Sequence, residues 1–286
     1  MTVVEAAGRE LSELFPRIEP HRVRWGFRTE NGTGAIAAGP DTFDSEMLQM
    51  RIARVHAAQA ASRSEFCALY RGLAMQLRHD GFEQVLRRVP ARDFSEIWAL
   101  EQTGFNLLDI GVTFARRLEG PLVASEYDDL TVRSATAEDV ERFASTMCCE
   151  CWKSRYDAAP AYRPENVSKL RAQWLRNSLQ GRAAVFLVGD VESQPAGYVV
   201  GLLDRAEGIG EVDLVATLPE FRGRRVAARI LDHVVAWFSQ KARLLTVRTQ
   251  ATNIAATNLY EKAGFLLYES DLTYRQNLAD LSGEPR

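Results

Sequence analysis

The chain has 286 residues, of which 46% are hydrophobic and 26% are charged, and its formal net charge is −3. At about 150 residues per domain, this length predicts two domains, and the composition is that of an ordinary globular protein. The weakly acidic charge excludes non-specific nucleic-acid binding, which needs a strong basic excess. Every apolar run is shorter than the roughly 20 residues of a membrane span, and charged residues follow Met1 too closely for a signal peptide. We therefore expect a cytoplasmic protein with no membrane partner.

Two stretches rich in turn-forming residues divide the chain. The first includes residues 29–34 and the pair Gly39-Pro40, where the glycines and the proline indicate a flexible connection. The second begins at residues 118–121 and continues through the polar residues 125–129. It predicts a boundary between an N-terminal domain of residues 1–120 and a C-terminal domain of residues 129–276. Residues 277–286 are expected to form a flexible tail.

The two predicted domains share a sequence pattern. Residues 100–114 read LEQTGFNLLDIGVTF and residues 260–274 read YEKAGFLLYESDLTY, with five identities at a constant offset of 160 positions. A repeat of this length predicts two tandem, related α/β modules. In the first copy Leu100 stands in place of Tyr260, and the arginine-rich turn of the second copy has no counterpart. We therefore predict a degenerate N-terminal module and a working C-terminal module.

Hydrophobic periodicity in the second half predicts a mixed, mostly antiparallel sheet flanked by helices. Residues 136–139 form a capping box that starts a helix, and residues 165–180 carry apolar side chains at helical spacing. A polar turn containing Pro195 separates two of the strands. The strands are expected at residues 130–133, 183–188, 197–203, 211–217, 244–249 and 265–274, and the remaining helices at 226–240 and 254–263.

The cysteines do not indicate disulfides or a metal site. Three of the four, Cys148, Cys149 and Cys151, are too close together for long-range bridges, and Cys67 stands alone. The histidines are distant in sequence, and the spacing lacks the separated ligand pairs of zinc sites. We interpret the cysteines as small apolar residues and expect no metal.

An arginine-rich turn is the strongest chemical signal. The predicted strand 211–217 leads through it into a helix, whose first N–H groups lack intrahelical partners and carry partial positive charge. Arg222, Arg224, Arg225 and Arg229 add to this charge, while Gly223 and Ala227 allow a ligand close to the backbone. The segment predicts a site for a phosphorylated group, most simply a pyrophosphate. The alternative is a solvated, basic helix start.

Two motifs in this half resemble those of a known family. Residues 222–227 (RGRRVA) resemble the Q/R-x-x-G-x-G/A acyl-CoA loop of the GNAT superfamily of N-acetyltransferases. Residues 253–265 resemble its Asn-x-x-Ala-x-x-x-Tyr-x-x-x-Gly-Phe signature. One position departs from the pattern, because Arg225 stands where the family usually has its central glycine. The resemblance implies a family domain over roughly residues 130–275 that uses acetyl-CoA.

A narrower resemblance covers most of the chain. Residues 43–46, 100–105, 154–157 and 173–178 occur in the order found in the TDP-fucosamine acetyltransferase group, with Phe43 where Trp is expected. In that group a degenerate GNAT-like domain precedes the catalytic one, which acetylates an amino group of a dTDP-linked sugar. The resemblance thus implies a small-molecule amine as acceptor, with a dTDP-sugar as the first candidate.

The resemblance and the residues themselves indicate roles for individual side chains. Tyr260 is the candidate general acid, and its phenol is close enough in pKa to a thiol for proton transfer or a strong hydrogen bond. Glu211 and Asp213 share one face of the predicted strand, and either is a candidate base that acts through water. Cations and aromatic rings at Arg155, Tyr156, Arg163 and Trp174 suit a nucleotide sugar. The implied acetyl-CoA contacts are Leu214, Val215, Ala216, Arg222, Gly223, Arg224, Arg225, Val226, Ala227, Asn253 and Tyr260, with a helix cap as the alternative role of Asn253.

We therefore predict an N-acetyltransferase in which an amine, carried by a nucleotide-linked amino sugar or a similar small molecule, attacks acetyl-CoA directly. The alternatives are an N-acyltransferase for an amino acid, peptide or natural-product amine, and a non-catalytic CoA-binding module. The sequence leaves the acyl length and the oligomeric state open.

Overall fold

A computed structural model describes residues 3–5, 11, 13–30, 32–147, 154–157 and 161–280. The chain forms two compact units: the first unit comprises residues 1–110 and 270–286, and the second unit comprises residues 111–269. Cys148, Cys149 and Cys151 lie outside the described residues, as does most of the predicted tail, whereas Cys67 is a buried free thiol. Within the described ranges, no cluster of His, Cys, Asp and Glu suits a metal, and no helix is long and apolar enough to cross a membrane.

The described elements are strands, α-helices and a few short turns. The strands are β1 (Val3–Glu5), β2 (Trp25–Thr29), β3 (Ala35–Pro40), β4 (Ile52–Gln59), β5 (Gln84–Pro90), β6 (Asn106–Arg117), β7 (Thr131–Ser134), β8 (Val185–Val191), β9 (Gln194–Asp204), β10 (Ile209–Thr217), β11 (Leu244–Gln250) and β12 (Leu266–Asn277). The α-helices are α1 (Thr42–Leu48), α2 (Arg63–His79), α3 (Phe94–Gln102), α4 (Ala137–Met147), α5 (Pro164–Asn177), α6 (Val226–Ser239) and α7 (Ile254–Lys262). Short 3-10 turns occur at Pro20–Arg22, Pro219–Phe221 and Leu278–Asp280, and a π-helical turn at Ser178–Arg182 follows α5.

Each unit has its own run of mixed sheet strands and its own hydrophobic core. In the first unit the strand order is β1-β2-β3-β4-β5-β12, and in the second it is β6-β11-β10-β9-β8-β7. One neighbouring pair in each unit is parallel, β4 with β5 and β10 with β11, and the other pairs described are antiparallel. In the core of the second unit, buried strand side chains pack against α6, which contributes Ile230, Val234 and Phe238. The predicted mixed, mostly antiparallel α/β architecture is confirmed.

The repeat seen in the sequence is a repeat of structure. β5, α3 and β6 in the first half and β11, α7 and β12 in the second begin and end at positions 160 residues apart. Asp93 and Asn253, again 160 apart, cap α3 and α7 with their side chains. The two modules are therefore built on one plan.

The units differ from the predicted domain ranges at their last strands. Residues 111–117 of β6 pair with β11 in the second unit, and residues 271–277 of β12 pair with β5 in the first. Turn-forming residues mark where the chain leaves a strand. Turn-forming residues do not show which strand the preceding strand pairs with. The boundary predicted at residues 118–121 therefore could not reveal that the last strands pair in the other unit.

Three local predictions are corrected by the structure. The flexible connection predicted at Gly39-Pro40 is wrong, because both residues lie in β3, where Gly39 allows the close approach of a backbone: a Cβ would lie 1.8 Å from the Arg22 carbonyl oxygen. Pro195 lies in β9 opposite Asp190, and the turn is formed by Glu192 and Ser193 with positive φ. The helix predicted to reach residue 180 ends at Asn177 as α-helix and continues as the π turn.

The predicted capping box at the start of α4 is confirmed. The carboxylate of Asp139 accepts from the Thr136 N–H at 2.8 Å, and the Thr136 hydroxyl accepts from the Asp139 N–H at 3.3 Å. The Arg133 guanidinium donates to both carboxylate oxygens of Asp139, at 2.6 and 2.8 Å, and also pairs with Asp190. These bonds join the first turn of α4 to β7 and β8.

Candidate active site

The strands β10 and β11 diverge in the middle of the second unit. Their parallel register runs from Ile209 opposite Leu244 to Val212 opposite Val247 and ends there. Against β9, Val212 and Leu214 face consecutive residues, Gly201 and Val200, so Asp213 is an extra residue that forms a β-bulge. Beyond it β10 remains paired with β9, whereas β11 pairs with β6.

The gap between the diverging strands lies beside Leu214, Val215 and Ala216, the residues predicted to contact pantetheine. The side chains of Leu214 and Ala216 are buried in the core, and that of Val215 is half-buried. A ligand between the strands would therefore meet the backbone of β10 more than its side chains.

The chain then forms an open anion-binding turn. After the 3-10 turn Pro219–Phe221, residues 222–225 lead into α6, with Gly223 at φ +80° and Arg225 at φ 57° and ψ 24°. No side chain caps α6, and within the described part of the chain the N–H groups of residues 223–228 have no acceptor. A Cβ on Gly223 would meet no atom within 4 Å. We call residues 222–228 the nest, because consecutive free N–H groups at a helix start bind anions.

The four arginines of this segment differ in their surroundings. Arg222 and Arg225 are exposed and make no ion pair with the residues that the structure describes. Arg224 pairs with Glu192 at 3.0 Å, an exposed contact that a ligand phosphate can replace at little cost. Arg229 donates to Asp129 at 2.6 Å and covers the Tyr127 ring at 4.9 Å, so its charge is already partly neutralised.

The corresponding helix start of the first unit is filled by the chain itself. At α2 the Ser62 hydroxyl accepts from the Glu65 N–H at 3.3 Å. The carboxylate of Glu65 accepts from the Ala61 N–H at 3.0 Å and from the Thr33 hydroxyl at 2.8 Å. A buried carboxylate thus occupies this helix start in place of an external anion.

The strand gap of the first unit is also occupied. The parallel pairing of β4 with β5 ends at Val55 opposite Arg87, and His56 is the extra residue of the bulge. The buried Arg87 guanidinium donates to the His56 carbonyl at 3.2 Å and binds Glu96 through two bonds. The residues 160 positions later, Val247 and Ala256, carry no charge. In the described part of the second unit, the helix start and the end of the β10–β11 pairing are therefore not closed in this way. This is the arrangement expected for binding the diphosphate and pantetheine of an acyl-CoA.

Tyr260 is a buried residue of α7. Its side chain is 4% exposed and packs against the rings of Phe114 and Phe265, with centroids 6.2 and 6.1 Å away. Its hydroxyl bonds to no residue in the described ranges, and burial raises the pKa of the phenol well above its usual value. The phenol therefore keeps its proton at neutral pH.

Asn253 caps α7, which was the alternative to a pantetheine contact. Its side-chain oxygen accepts from the Ala256 N–H at 3.2 Å and caps α7, while its amide donates to the Thr249 hydroxyl at 3.2 Å. A contact with pantetheine stays a prediction.

The two candidate bases lie beside an arginine that sequence reasoning missed. Arg182 donates to both oxygens of Asp213, at 2.5 and 3.1 Å. This pairing raises the pKa of the guanidinium, and the charge of Glu211 raises it further. Asp213 is thus engaged in an ion pair, and the side chain of Glu211 is exposed. Arg182 is 31 residues away in sequence from Asp213, in an irregular turn, so no periodic pattern connects them.

The predicted acceptor residues are brought together only in part. Tyr156 is 1% exposed, and its ring packs on Trp174 with centroids 5.8 Å apart. Arg155 lies over the Tyr156 ring at 4.4 Å and donates to its hydroxyl at 2.5 Å. Arg163 is exposed at the start of α5 and takes no part in this cluster. The half-buried Arg155 and Trp174 are more accessible to an acceptor than Tyr156.

Comparisons with known proteins agree with this geometry. Residues 148–265 match the sequence model of the acetyltransferase (GNAT) family. The chain is 26% identical over 285 residues to the spore coat polysaccharide biosynthesis protein SpsD of Bacillus subtilis (strain 168), covering 96% of each chain. It is also 26% identical over 193 residues to the dTDP-fucosamine acetyltransferase of Escherichia coli O6:H1 (strain CFT073), covering 64% of this chain and 77% of that one.

A solved structure resembles the whole chain. A tandem GNAT protein from the clavulanic acid biosynthesis pathway superposes with a TM-score of 0.60 at 14% identity, covering 99% of both chains. At this identity the likeness shows the tandem fold.

Proposed function

Since residues 148–265 belong to the GNAT family of acetyltransferases, we propose that this protein transfers an acetyl group from acetyl-CoA to an amino group of a nucleotide-linked amino sugar. The observation that carries the proposal is the nest: six consecutive N–H groups without acceptors among the described residues, next to the point where β10 and β11 stop pairing. The matching places in the first unit are closed by Glu65 and Arg87.

The residues around the diverging strands and the nest have different roles in binding acyl-CoA. Acyl-CoA, which the family uses, supplies the acyl group as a thioester. Gly223 and the free N–H groups after it bind the diphosphate, helped by Arg222 and Arg225. The backbone of residues 214–216 orients the thioester end, and an N–H group there stabilises the developing negative charge on oxygen.

Tyr260 and Glu211 are the proposed proton donor and proton acceptor. Because burial raises the pKa of Tyr260, its Oη keeps its proton and acts as a hydrogen-bond donor to the sulfur that leaves. Of the two options considered for this residue, the raised pKa disfavours full proton transfer and leaves hydrogen-bond donation. Glu211 accepts one proton from the substrate ammonium through water, so that the neutral amine attacks the thioester carbonyl. The second nitrogen proton is released when the C–S bond breaks and goes to the departing thiolate. Asp213 is bound by Arg182.

The relatives support a sugar as acceptor. The Escherichia coli protein is named as a dTDP-fucosamine acetyltransferase and the Bacillus subtilis protein for polysaccharide biosynthesis. In this chain Arg155 and Trp174 lie beside Tyr156 and offer a cation and an aromatic face, which suit a phosphate and a nucleobase. An amino acid, peptide or natural-product amine would use the same acetyl-CoA site. These acceptors would differ from a nucleotide sugar in making no phosphate or nucleobase contacts with Arg155 and Trp174.

Release of free thiol from acetyl-CoA tests the proposal. The purified chain is given dTDP-linked amino sugars, free amino sugars, amino acids and a short peptide, and the products are weighed by mass spectrometry. We expect thiol release and a gain of one acetyl group with the dTDP-linked amines above all others. Preference for an amino acid or peptide contradicts the sugar, and tight CoA binding without turnover on any amine indicates a non-catalytic module.

Replacing Tyr260 with Phe tests the proton donor. The ring contacts with Phe114 and Phe265 remain, so we expect folding and CoA binding to be unchanged while kcat falls about 100-fold or more. Tyr274→Phe is the matched control, because it removes another buried hydroxyl, one that donates to Glu101 at 2.8 Å in the first unit. Equal kcat values for the two variants would remove Tyr260 from the mechanism.

A further inference from the structure

We propose that Arg182 is a positioning residue of the active site, whose ion pair with Asp213 holds the bulge that separates β10 from β11. The inference rests on the proposed function. Arg182 touches the bulge residue, and the bulge in turn sets the backbone of residues 214–216 at the gap.

The contact is suited to fix a backbone. Asp213 is the one extra residue between the pairs Val212–Gly201 and Leu214–Val200, and both of its oxygens are bound by Arg182. A two-pronged guanidinium–carboxylate contact restrains orientation as well as distance. Only 16% of the Asp213 side chain is exposed, against 41% of Arg182, so the carboxylate is the more enclosed partner.

The turn that contains Arg182 and a contact with Ser178 also restrain this arginine. It ends the π turn Ser178–Arg182, in which Gly181 has φ +111°, a value that favours glycine. Its guanidinium reaches the Ser178 hydroxyl at 3.5 Å, and this hydroxyl donates to the Trp174 carbonyl at 2.8 Å. The ion pair thus connects the end of α5 to the bulge of β10.

The first unit provides an internal comparison. Its bulge residue His56 is also bound by an arginine, but there the Arg87 guanidinium comes from β5 and donates to the His56 backbone carbonyl. Arg87 lies on the strand that diverges from β4, so its side chain takes space between the strands. In the second unit Arg182 binds the bulge through a side chain and comes from outside the two diverging strands. This arrangement restrains the bulge from outside the two strands.

The test compares Arg182→Ala, Arg182→Lys and Asp213→Asn with the double variant Arg182→Ala/Asp213→Ala. We expect kcat to fall about 10- to 100-fold in the Ala variant, since small displacements at a reacting centre have effects of this size. The dissociation constant of free CoA should change less than about threefold, because the nest is untouched. Lys keeps the charge but loses the fork, so its kcat should lie between those of Ala and wild type. The double variant should be no slower than Arg182→Ala, because the two residues act as one unit.

Arg176→Ala is the matched control. Arg176 makes a two-bonded pair with Glu141, at 2.7 and 2.7 Å, and is 39% exposed, similar to Arg182. It lies on α5 away from the bulge, and we expect its kcat to equal that of wild type.

Hydrogen exchange of the backbone amides of residues 213–217 provides a readout that does not need activity. These amides should exchange faster in Arg182→Ala than in wild type and Arg176→Ala. Unchanged exchange, or a kcat within twofold of wild type, overturns the role of Arg182. An inactive wild-type protein whose bulge loosens in Arg182→Ala instead contradicts the proposed function and leaves the positioning contact in place.

Discussion

Arg225 has a backbone conformation that side chains rarely adopt. It lies in the left-handed region at the position where the family pattern has its central glycine. For a residue with a Cβ this conformation costs roughly 1–2 kcal/mol. The turn therefore keeps the glycine-like path without the glycine, and its N–H still joins the open row of the nest.

Replacing Arg225 with Gly separates the backbone from the charge. Strain is relieved in the folded state, but the unfolded chain gains freedom, so the unfolding free energy should change by less than about 1 kcal/mol. We expect CoA affinity to fall about three- to tenfold at low salt, and the difference to shrink at high salt. Calorimetric titrations at two salt concentrations measure this. The control Arg205→Gly removes an exposed arginine from the turn at the opposite end of β10 and should have no such effect. A salt-independent loss would show that the cation does not act by charge.

The residues that sequence could identify are those within short motifs. Gly223, Asn253 and Tyr260 stand in local patterns whose chemistry needs only the strand–turn–helix order, which the structure has. Arg182 belongs to no pattern, because its relation to Asp213 arises from a bulge and a π turn. The burial of Tyr156 could likewise not be predicted, because this aromatic residue has polar neighbours in the sequence.

At the scale of the element, the start of α4 depends on one ionised carboxylate. The Arg133 bonds are the largest cause that lowers the pKa of Asp139, with the Thr136 contacts adding to it, to about 2. A lowered folded pKa adds stability above the ordinary pKa, and this stability is lost as the pH falls towards the folded value. The capping box therefore contributes fully at neutral pH and loses its contribution between about pH 4 and pH 2.

The variant Asp139→Asn measures this contribution. It should lose about 2 kcal/mol of unfolding free energy at pH 7, and the difference from wild type should shrink as the pH approaches 2. Urea unfolding at several pH values provides the measurement. Glu141→Gln, an exposed change on the same helix, should leave stability nearly unchanged. A deficit that stays constant down to pH 2 would contradict the electrostatic origin.

Elements were predictable where periodicity and caps agree. The pairs β5 and β11, α3 and α7, and β6 and β12 follow the 160-residue offset read from the sequence. Prediction failed where proline and glycine lie inside strands, at Pro195 and at Gly39-Pro40. Both residue types usually break strands, but neighbouring strands impose the extended conformation here.

At the scale of the whole molecule, the two modules share one plan but differ in the side chains at the helix start and at the end of the parallel strand pairing. Glu65 fills the helix start of the first unit, and Arg87 with Glu96 occupies its strand gap. We therefore expect calorimetry to find one acyl-CoA per chain.

The variant Gly223→Asp tests whether the nest of the second unit binds the one acyl-CoA expected per chain. It adds a carboxylate to the nest, at a positive φ that Asp tolerates better than most residues. It should abolish binding rather than halve it, with the circular dichroism spectrum unchanged. Two equivalents per wild-type chain, or half the binding left in the variant, would mean that the first unit also binds the coenzyme.

Because of the exchanged last strands, a cut at residues 118–121 separates strands that are paired in each unit. A gene fragment that starts after residue 120 encodes β11 without its antiparallel neighbour from β6, and one that ends there leaves β5 without β12. Such bare edges recruit other chains and aggregate. The linker at residues 118–121 is thus a misleading place to truncate, and recombination there would inherit two incomplete sheets.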